Sequence, residues 1–263
     1  MSVLGVETSE GITTLTMNRA DAMNALNEEL SYALREALEA AASDSSVRVV
    51  VLTGSGRAFS AGADLAEAQR RIEQGGNLAP SEILRKRYNP IVKTIVEMEK
   101  PVIAAVNGVA AGAGASLAFA CDVRVASDKA RFMQAFVKIG LVPDAGATYF
   151  LPRLIGYARA LEMAITGDLI DATKALEIGL VNAVVEHDQL LDTVRKEWAE
   201  PFASGPTRAY GLSKRAMRYG ATNALENVLE FEPDLQDQAA LTHDAGEGIT
   251  AFLEKRPPNY RGR

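Results

Sequence analysis

The stretch PVIAAVNGVAAGAG, residues 101–114, decides the fold of this 263-residue chain. Its first six residues are all apolar and have the length of a strand, which is typical of a parallel strand covered on both faces. The run Val47–Thr53 shows the same pattern earlier in the chain, and Asp122–Ala126 shows it later. The segments between these runs are long enough to contain crossover helices. We therefore predict an α/β fold with a largely parallel sheet.

The chain after about Asp144 changes in character and becomes mainly helical in its pattern of apolar residues. Amphipathic segments follow one another as far as Lys255, and Pro257 and Pro258 end the last of them. A helical region after an α/β core is either an appendage or an oligomerisation layer. We predict an α/β core over residues 1–200 and a helical oligomerisation region over residues 201–263.

The composition and charge of the chain argue against several classes of protein. A net charge of −6 gives no attraction toward nucleic acid or anionic lipid. Residues 1–7 lack the features of a secretory signal, and no apolar run reaches the roughly 20 residues that a membrane helix needs. The single cysteine, Cys121, lies in an apolar stretch and is predicted to be buried and inert. We expect a cytoplasmic protein that binds neither nucleic acid nor membrane.

Two loops rich in glycine and alanine follow predicted strands. The first, within residues 107–117, is not a dinucleotide-binding fingerprint, because Leu117 stands where the third glycine is required. Free N–H groups at a helix start suit an anion or an oxyanion, but tight helix–sheet packing also favours small residues. The second loop, residues 57–65, has the same character. Two such loops can direct their N–H groups at one carbonyl oxygen, which is the geometry of an oxyanion hole.

Asp144 lies in GLVPDAGAT, residues 140–148, between apolar and small residues. Spacing alone leaves two interpretations open. An Asp between a loop and a helix is often an N-cap. A carboxylate in an apolar setting also tends to have a raised pKa and can act as a base.

The remaining polar groups predict no further chemistry. His187 and His243 are the only histidines, and neither has the spacing of a metal site, so we predict no metal. The basic run Arg85-Lys86-Arg87 is interpreted as a solvated helix face, and phosphate binding is the alternative.

Several short motifs occur in the order expected for one known family. They are Asn18-Arg19, Asn24-Ala25-Leu26, Ala58–Leu65, Lys100–Gly108, Ala120-Cys121-Asp122, Lys138–Pro143, Ala175–Val181 and Glu247–Arg256. As a set they span nearly the whole chain, which resembles the enoyl-CoA hydratase/isomerase (crotonase) superfamily. The resemblance implies a spiral of ββα repeats with a C-terminal helical trimerisation region. It also implies acyl-CoA thioesters as substrates.

The resemblance assigns roles to individual residues. The main-chain N–H groups of Ala63 and Ala113 are expected to stabilise an enolate formed from the thioester. The residues expected to contact the coenzyme A moiety are Ala61, Asp64 and Leu65, together with Phe252 and Lys255 from an adjacent subunit. The implied partners are acyl-CoA and further copies of the chain, as a homotrimer or a dimer of trimers. No cofactor is implied beyond the coenzyme A of the substrate.

Three positions depart from the hydratase pattern of the family. Hydratases use two glutamates, and Ser116 and Phe136 stand at those positions here, so the addition of water lacks an evident acid–base pair. A carboxylate stands instead at Asp144, as in dienoyl-CoA isomerases, ring-epoxide isomerases of phenylacetate degradation and a dehalogenase. The segments Tyr88–Val92 and Phe132–Arg153 most resemble the ring-epoxide isomerases.

These features predict an acyl-CoA isomerase that uses Asp144 as its single acid and base, for a double-bond or an epoxide/oxepin isomerisation. The first alternative is an enoyl-CoA hydratase that pairs Asp144 with another group. The second is an enzyme in which Asp144 is a nucleophile. The third is a non-catalytic relative that binds CoA esters or RNA. The charge of −6 argues against RNA, and the carboxylate argues against a protein that only binds.

Overall fold

The computed structural model of the protein describes residues 2–263 and contains two β-sheets. The strands are β1 (Leu4–Ser9), β2 (Ile12–Met17), β3 (Val49–Gly54), β4 (Ala58–Ser60), β5 (Val102–Val106), β6 (Val109–Ala111), β7 (Val123–Ser127), β8 (Arg131–Met133), β9 (Ile170–Asp171) and β10 (Ala183–Val185). The larger sheet has six strands in the order β1-β2-β3-β5-β7-β10. The smaller sheet has four strands in the order β4-β6-β8-β9.

Helices cover the two sheets and form the C-terminal region. They are α1 (Glu28–Ser43), α2 (Leu65–Glu73), α3 (Pro80–Ile83), α4 (Asn89–Glu97), α5 (Ala113–Ala120), α6 (Ala147–Ile155), α7 (Tyr157–Thr166), α8 (Ala172–Glu177), α9 (Leu190–Val194), α10 (Glu200–Ala203), α11 (Thr207–Gly220), α12 (Leu225–Ala240) and α13 (His243–Glu254). A π-helical turn, Leu84–Tyr88, joins α3 to α4, so that one helix runs from residue 80 to residue 97.

A unit of two strands and a helix, with one strand in each sheet, occurs three times along the chain. The first strands of the units, β3, β5 and β7, lie side by side and parallel in the larger sheet. The second strands, β4, β6 and β8, lie parallel in the smaller sheet. The helices α2, α5 and α6 follow these second strands. The chain therefore advances as a spiral of ββα repeats, which confirms the predicted fold class.

The apolar runs of the larger sheet are explained by a core on each of its faces. In β3, Val50 and Leu52 belong to the larger core, whereas Val49 and Val51 belong to the smaller core on the opposite side. Successive side chains of a strand point to opposite faces, so both sets must be apolar. Every residue of β5 is buried for the same reason. The strands predicted in residues 47–53, 101–106 and 122–126 are confirmed.

The smaller sheet was not predicted from the sequence. Strand β6 occupies residues 109–111, so the glycine-rich segment does not connect a strand of the larger sheet directly to a helix. Gly108 precedes it at a close crossing of the chain, where an added methyl group would lie 2.1 Å from the carbonyl oxygen of Arg57. The absence of a side chain at this position lets the two ββα units approach.

The last three helices, α11 to α13, confirm the predicted helical character of the C-terminal region. The boundary near residue 200 and the role of this region in assembly stay predictions. Within residues 2–263, none of the helices combines the length and the apolar character needed to cross a membrane.

Candidate active site

A cavity of about 690 Å³ is lined by residues from the two glycine-rich loops, from α2 and from the helix of residues 80–97. Its volume is typical of a small-molecule site. The cavity brings together most of the predicted site residues, namely Ala61, Ala63, Asp64, Leu65, Ala113 and Asp144.

The main chain around Ala63 is held by a single β-bridge to Leu26. The N–H of Leu26 donates to the carbonyl of Gly62 at 2.7 Å, and the N–H of Asp64 donates to the carbonyl of Leu26 at 3.4 Å. In a parallel bridge of this kind the central residue directs its own N–H away from the partner strand. Ala63 is exposed and lines the cavity, so its N–H is not engaged by Leu26.

Ala113, the second expected donor, is the first residue of α5. The first N–H groups of a helix have no partner within the helix. Gly112 precedes it with a φ of +50°, a left-handed conformation that suits glycine. A methyl group added to Gly62 would lie only 3.1 Å from the nitrogen of Ala113, so the two loops meet closely. The geometry suits two N–H groups that bind one oxygen.

Asp144 lies on the wall of the same cavity, and its Oδ1 atom is buried without a hydrogen-bond partner among the described residues. Burial raises the pKa of this carboxyl group to about 6. A carboxylate with a raised pKa and an unoccupied oxygen is suited to accept a proton near neutral pH.

The alternative that Asp144 caps a helix is wrong. Helix α6 begins at Ala147, its N-cap residue is Gly146, and no side chain caps it. Only the main-chain carbonyl of Asp144 takes part in the turn, by accepting the N–H of Ala147 at 2.9 Å. The side chain is therefore left free for the cavity.

Neither hydratase position carries a group that can replace a carboxylate. The Ser116 hydroxyl is buried and donates to the carbonyl of Gly112 at 3.1 Å, one helical turn earlier. The aromatic ring of Phe136 is buried and lines the cavity. Phe59 is fully buried in the core and does not line the cavity.

The carboxylate of Asp64 already binds two other groups of the protein. Its carboxylate caps α2 by accepting the N–H of Glu67 at 3.1 Å, and it forms an ion pair with Arg19 at 2.9 Å. Burial alone would raise the pKa of Asp64, but the N–H of Glu67 and the Arg19 guanidinium together lower it below its usual value. The side chain therefore stays ionised and fixes the loop that carries Ala63.

Phe252 and Lys255 lie outside the cavity of this chain. Phe252 is 83% exposed near the end of α13, and Lys255 terminates that helix in a left-handed conformation. Their expected contact with coenzyme A from an adjacent subunit stays a prediction.

Two cavity residues, Tyr88 and Arg87, were not assigned roles from the sequence. The Tyr88 hydroxyl donates to the carbonyl of Leu26 at 3.1 Å and so supports the bridge that holds Ala63. Burial, together with the nearby Asp144 carboxylate, raises the pKa of Tyr88, which keeps its hydroxyl protonated.

Arg87 is buried, so its interpretation as part of a solvated basic face is wrong. It forms ion pairs of 2.9 Å with Glu28 and with Glu67. Helical spacing from Ile83 and Leu84 is the signal that could have placed Arg87 and Tyr88 on the inner face of their helix.

The family model for enoyl-CoA hydratase/isomerase matches residues 7–263. The chain belongs to the enoyl-CoA hydratase/isomerase family. Among curated relatives, it is 41% identical over 255 residues to the 1,2-epoxyphenylacetyl-CoA isomerase of Escherichia coli, which covers 97% of this chain and 96% of that one. It is 40% identical over 263 residues to the 2,3-dehydroadipyl-CoA hydratase of the same organism, which covers 100% of both chains.

A solved structure of an enoyl-CoA hydratase from Bacillus anthracis has the same fold as this family member. The two superpose with a TM-score of 0.91 at 35% identity, over 99% of this chain and 100% of that one. Membership of the enoyl-CoA hydratase/isomerase family establishes that the chain belongs to an enzyme family that acts on CoA thioesters. Because isomerases and hydratases both occur among the relatives, the individual reaction must be argued from the site.

Proposed function

We propose that this member of the enoyl-CoA hydratase/isomerase family is an acyl-CoA isomerase whose single acid–base group is Asp144. The observation that carries the proposal is the unpartnered, buried Oδ1 of Asp144 on the wall of a cavity that also contains Ala63 and Ala113. The reaction is a double-bond shift or an epoxide/oxepin isomerisation.

The N–H groups of Ala63 and Ala113 bind the thioester carbonyl oxygen. Negative charge grows on this oxygen when a proton leaves the acyl chain, and both hydrogen bonds strengthen as it does. In other enzymes the loss of one such donor costs about 2.7–4 kcal/mol of barrier. Because these donors belong to the main chain, their position depends on the loop geometry around Gly62 and Gly112.

The Asp144 carboxylate takes a proton from one carbon of the acyl group and becomes a neutral acid. The electron pair of the broken C–H bond moves into the enolate, and the acid then returns the proton to a different carbon. Substrate and product have the same atoms, and the carboxylate is regenerated. An isomerisation therefore needs one acid–base group and no bound water.

Hydration is less well supported because it must add both a hydroxyl group and a proton. The residues at the two hydratase positions, Ser116 and Phe136, are a hydroxyl bonded to its own helix and a hydrocarbon ring. Among the other described carboxylates of the cavity, Asp64 and Glu67 are ion-paired, and Glu73 is exposed and accepts a hydrogen bond from Gln69. None of these groups is placed like Asp144 to act on water.

The Asp144→Asn variant tests the proposal. We expect isomerisation of enoyl-CoA and uptake of deuterium from solvent to fall by about 10²–10⁴-fold, which is typical for the loss of one acid–base group. Binding of a saturated acyl-CoA and the cooperative unfolding transition should persist, because the amide has nearly the same size.

The control is Ser116→Ala, which removes a hydroxyl that is engaged within its helix and should keep full isomerase activity. An unchanged isomerisation rate in Asp144→Asn would exclude this residue as the acid–base group. Rapid hydration of crotonyl-CoA by the wild type, without isomerisation of any thioester tested, would favour the hydratase instead.

A further inference from the structure

We propose that the cavity selects acyl groups that end in an uncharged apolar tail and discriminates against acyl groups that end in a second carboxylate, with Ile72 and Leu84 as specificity-determining residues. The inference rests on the proposed function, since it assumes that the thioester carbonyl is held by Ala63 and Ala113. It concerns the part of the cavity that lies beyond these loops.

Two helices present apolar faces to this part of the cavity. Helix α2 contributes Leu65, Ala68 and Ile72, which are spaced by three and four residues. The helix of residues 80–97 contributes Ile83 and Leu84 one turn before Tyr88. Residues at these spacings share one side of a helix, so each helix has an apolar stripe along the cavity.

The stripe on α2 is poorly covered by the rest of the chain. Leu65 is 53% exposed and Ile72 is 50% exposed, although both line the cavity. Ile139 and Leu141, from a different segment of the chain, are also exposed and line the same cavity. Exposed apolar side chains on the lining of an open cavity gain stability only when a ligand excludes water from them.

The cations of the cavity lining are Arg71, Arg87 and Lys138, and only Arg87 is buried. Four carboxylates and three cations line it, so the lining has no positive excess. Arg87, which is 5% exposed, is neutralised by ion pairs with Glu28 and Glu67. A second carboxylate on the acyl group would lose its hydration, and Asp144 would repel it.

Equilibrium binding of saturated thioesters tests the inference without requiring turnover. We expect hexanoyl-CoA to bind the wild-type protein at least about tenfold more tightly than adipyl-CoA, which has the same chain length and a terminal carboxylate. Affinity should also rise by up to about fourfold per methylene from butyryl-CoA to octanoyl-CoA, as apolar surface is buried. Titration calorimetry measures each Kd.

The Ile72→Asn variant tests the residue assignment, and Ile165→Asn is its matched control. Ile165 lies on α7, is also exposed and does not line the cavity. We expect Ile72→Asn to weaken octanoyl-CoA about tenfold while leaving acetyl-CoA unchanged, because only the longer tail reaches the stripe. Ile165→Asn should change neither affinity.

Equal affinities for hexanoyl-CoA and adipyl-CoA would overturn the inference. If Arg71→Met then abolished adipyl-CoA binding, Arg71 would be the group that binds the terminal carboxylate. These outcomes are separate from a failure of the proposed function, because saturated thioesters bind without proton transfer. Conversely, an active Asp144→Asn variant would leave the ranking of the saturated thioesters intact.

Discussion

The carboxyl group of Asp144 is poorly accessible to water, and its burial lowers the unfolding free energy of the protein. Burial raises its pKa to about 6, whereas an exposed aspartate has a pKa of about 3.9. Between these pH values the folded chain binds more protons at this residue than the unfolded chain does. Its contribution to the unfolding free energy therefore decreases as pH rises through this window. Such a cost on a cavity wall is typical of functional residues.

The raised pKa of Asp144 also predicts how activity depends on pH. The carboxyl group accepts a proton only when it is ionised, so kcat/KM should rise between pH 5 and pH 7 and level off above. The inflection is expected near pH 6. Initial rates of isomerisation at substrate concentrations far below KM provide the measurement. The same inflection in the residual activity of Asp144→Asn would assign the titration to another group.

The two residues Asp144 and Arg87 show what could be predicted at this scale. The apolar neighbours of Asp144 in the sequence predicted a raised pKa, and burial in the folded chain produces one. The burial of Arg87 was missed because its partners Glu28 and Glu67 lie 59 and 20 residues away along the chain. The sequence neighbours of Asp144 indicate its surroundings in the fold, whereas the sequence neighbours of Arg87 do not.

Among the elements, the two glycine-rich loops are the feature on which the site depends. Gly62 has a φ of +89°, and an added methyl group would lie 2.6 Å from the carbonyl oxygen of Ala111. Gly114 lies at a second close crossing, where a methyl group would lie 2.4 Å from the carbonyl oxygen of Ser60. Small residues are therefore required because main chain meets main chain, and the packing and oxyanion interpretations of these loops are compatible.

Gly62→Ala tests this dependence. We expect a loss of about 1–3 kcal/mol of unfolding free energy from strain and overlap. We also expect activity to fall by about tenfold or more, because the N–H groups of Ala63 and Ala113 would be displaced. The control is Gly156→Ala, where φ is +81° but nothing lies within 4 Å of the added methyl group.

The control should show the cost of a positive-φ backbone conformation alone, about 1–3 kcal/mol, and keep wild-type activity. Chemical denaturation and isomerase rates measured on both variants separate strain from loop displacement. Equal losses of activity in the two variants would contradict the role given to the loops.

The element scale also shows why the smaller sheet was not predicted. Strands β3 and β5 of the larger sheet each have five apolar or β-branched residues in a row, and both strands were predicted. The strands β4, β6 and β8 have three residues each, which is too short for a periodic pattern. They exist because neighbouring ββα units place them side by side, and a single segment of sequence does not contain that information.

At the scale of the whole molecule, the C-terminal region exposes many large apolar side chains. Leu241, Phe252 and Leu253 are 88%, 83% and 73% exposed. Other exposed apolar residues of this region are Met217, Leu225, Leu229 and Ile249. Exposed apolar surface in one region is typical of protein–protein contacts. This observation supports the prediction that the region mediates assembly as a trimer or a dimer of trimers.

The assembly prediction links oligomeric state to catalysis through Phe252. Sedimentation of the wild type should give three or six times the chain mass of 28.1 kDa. Leu253→Asp should shift the distribution toward smaller species, because a charge would be buried at the contact. The control Val6→Asp, at an exposed position of β1, should sediment like the wild type.

Mixed assemblies decide whether Phe252 acts in its own chain or in a neighbour. Phe252→Ala alone should raise KM for the thioester and leave kcat nearly unchanged, because the ring is expected to contact coenzyme A far from the reacting carbons. In assemblies refolded from Phe252→Ala and Asp144→Asn chains, the first chain retains its carboxylate and receives an intact Phe252 from the second. KM should then return toward the wild-type value, since the sites that turn over are those with Asp144, and such a site beside an Asp144→Asn chain is supplied with an intact Phe252. A KM that stays as high as in Phe252→Ala alone would place the contribution of Phe252 within its own chain.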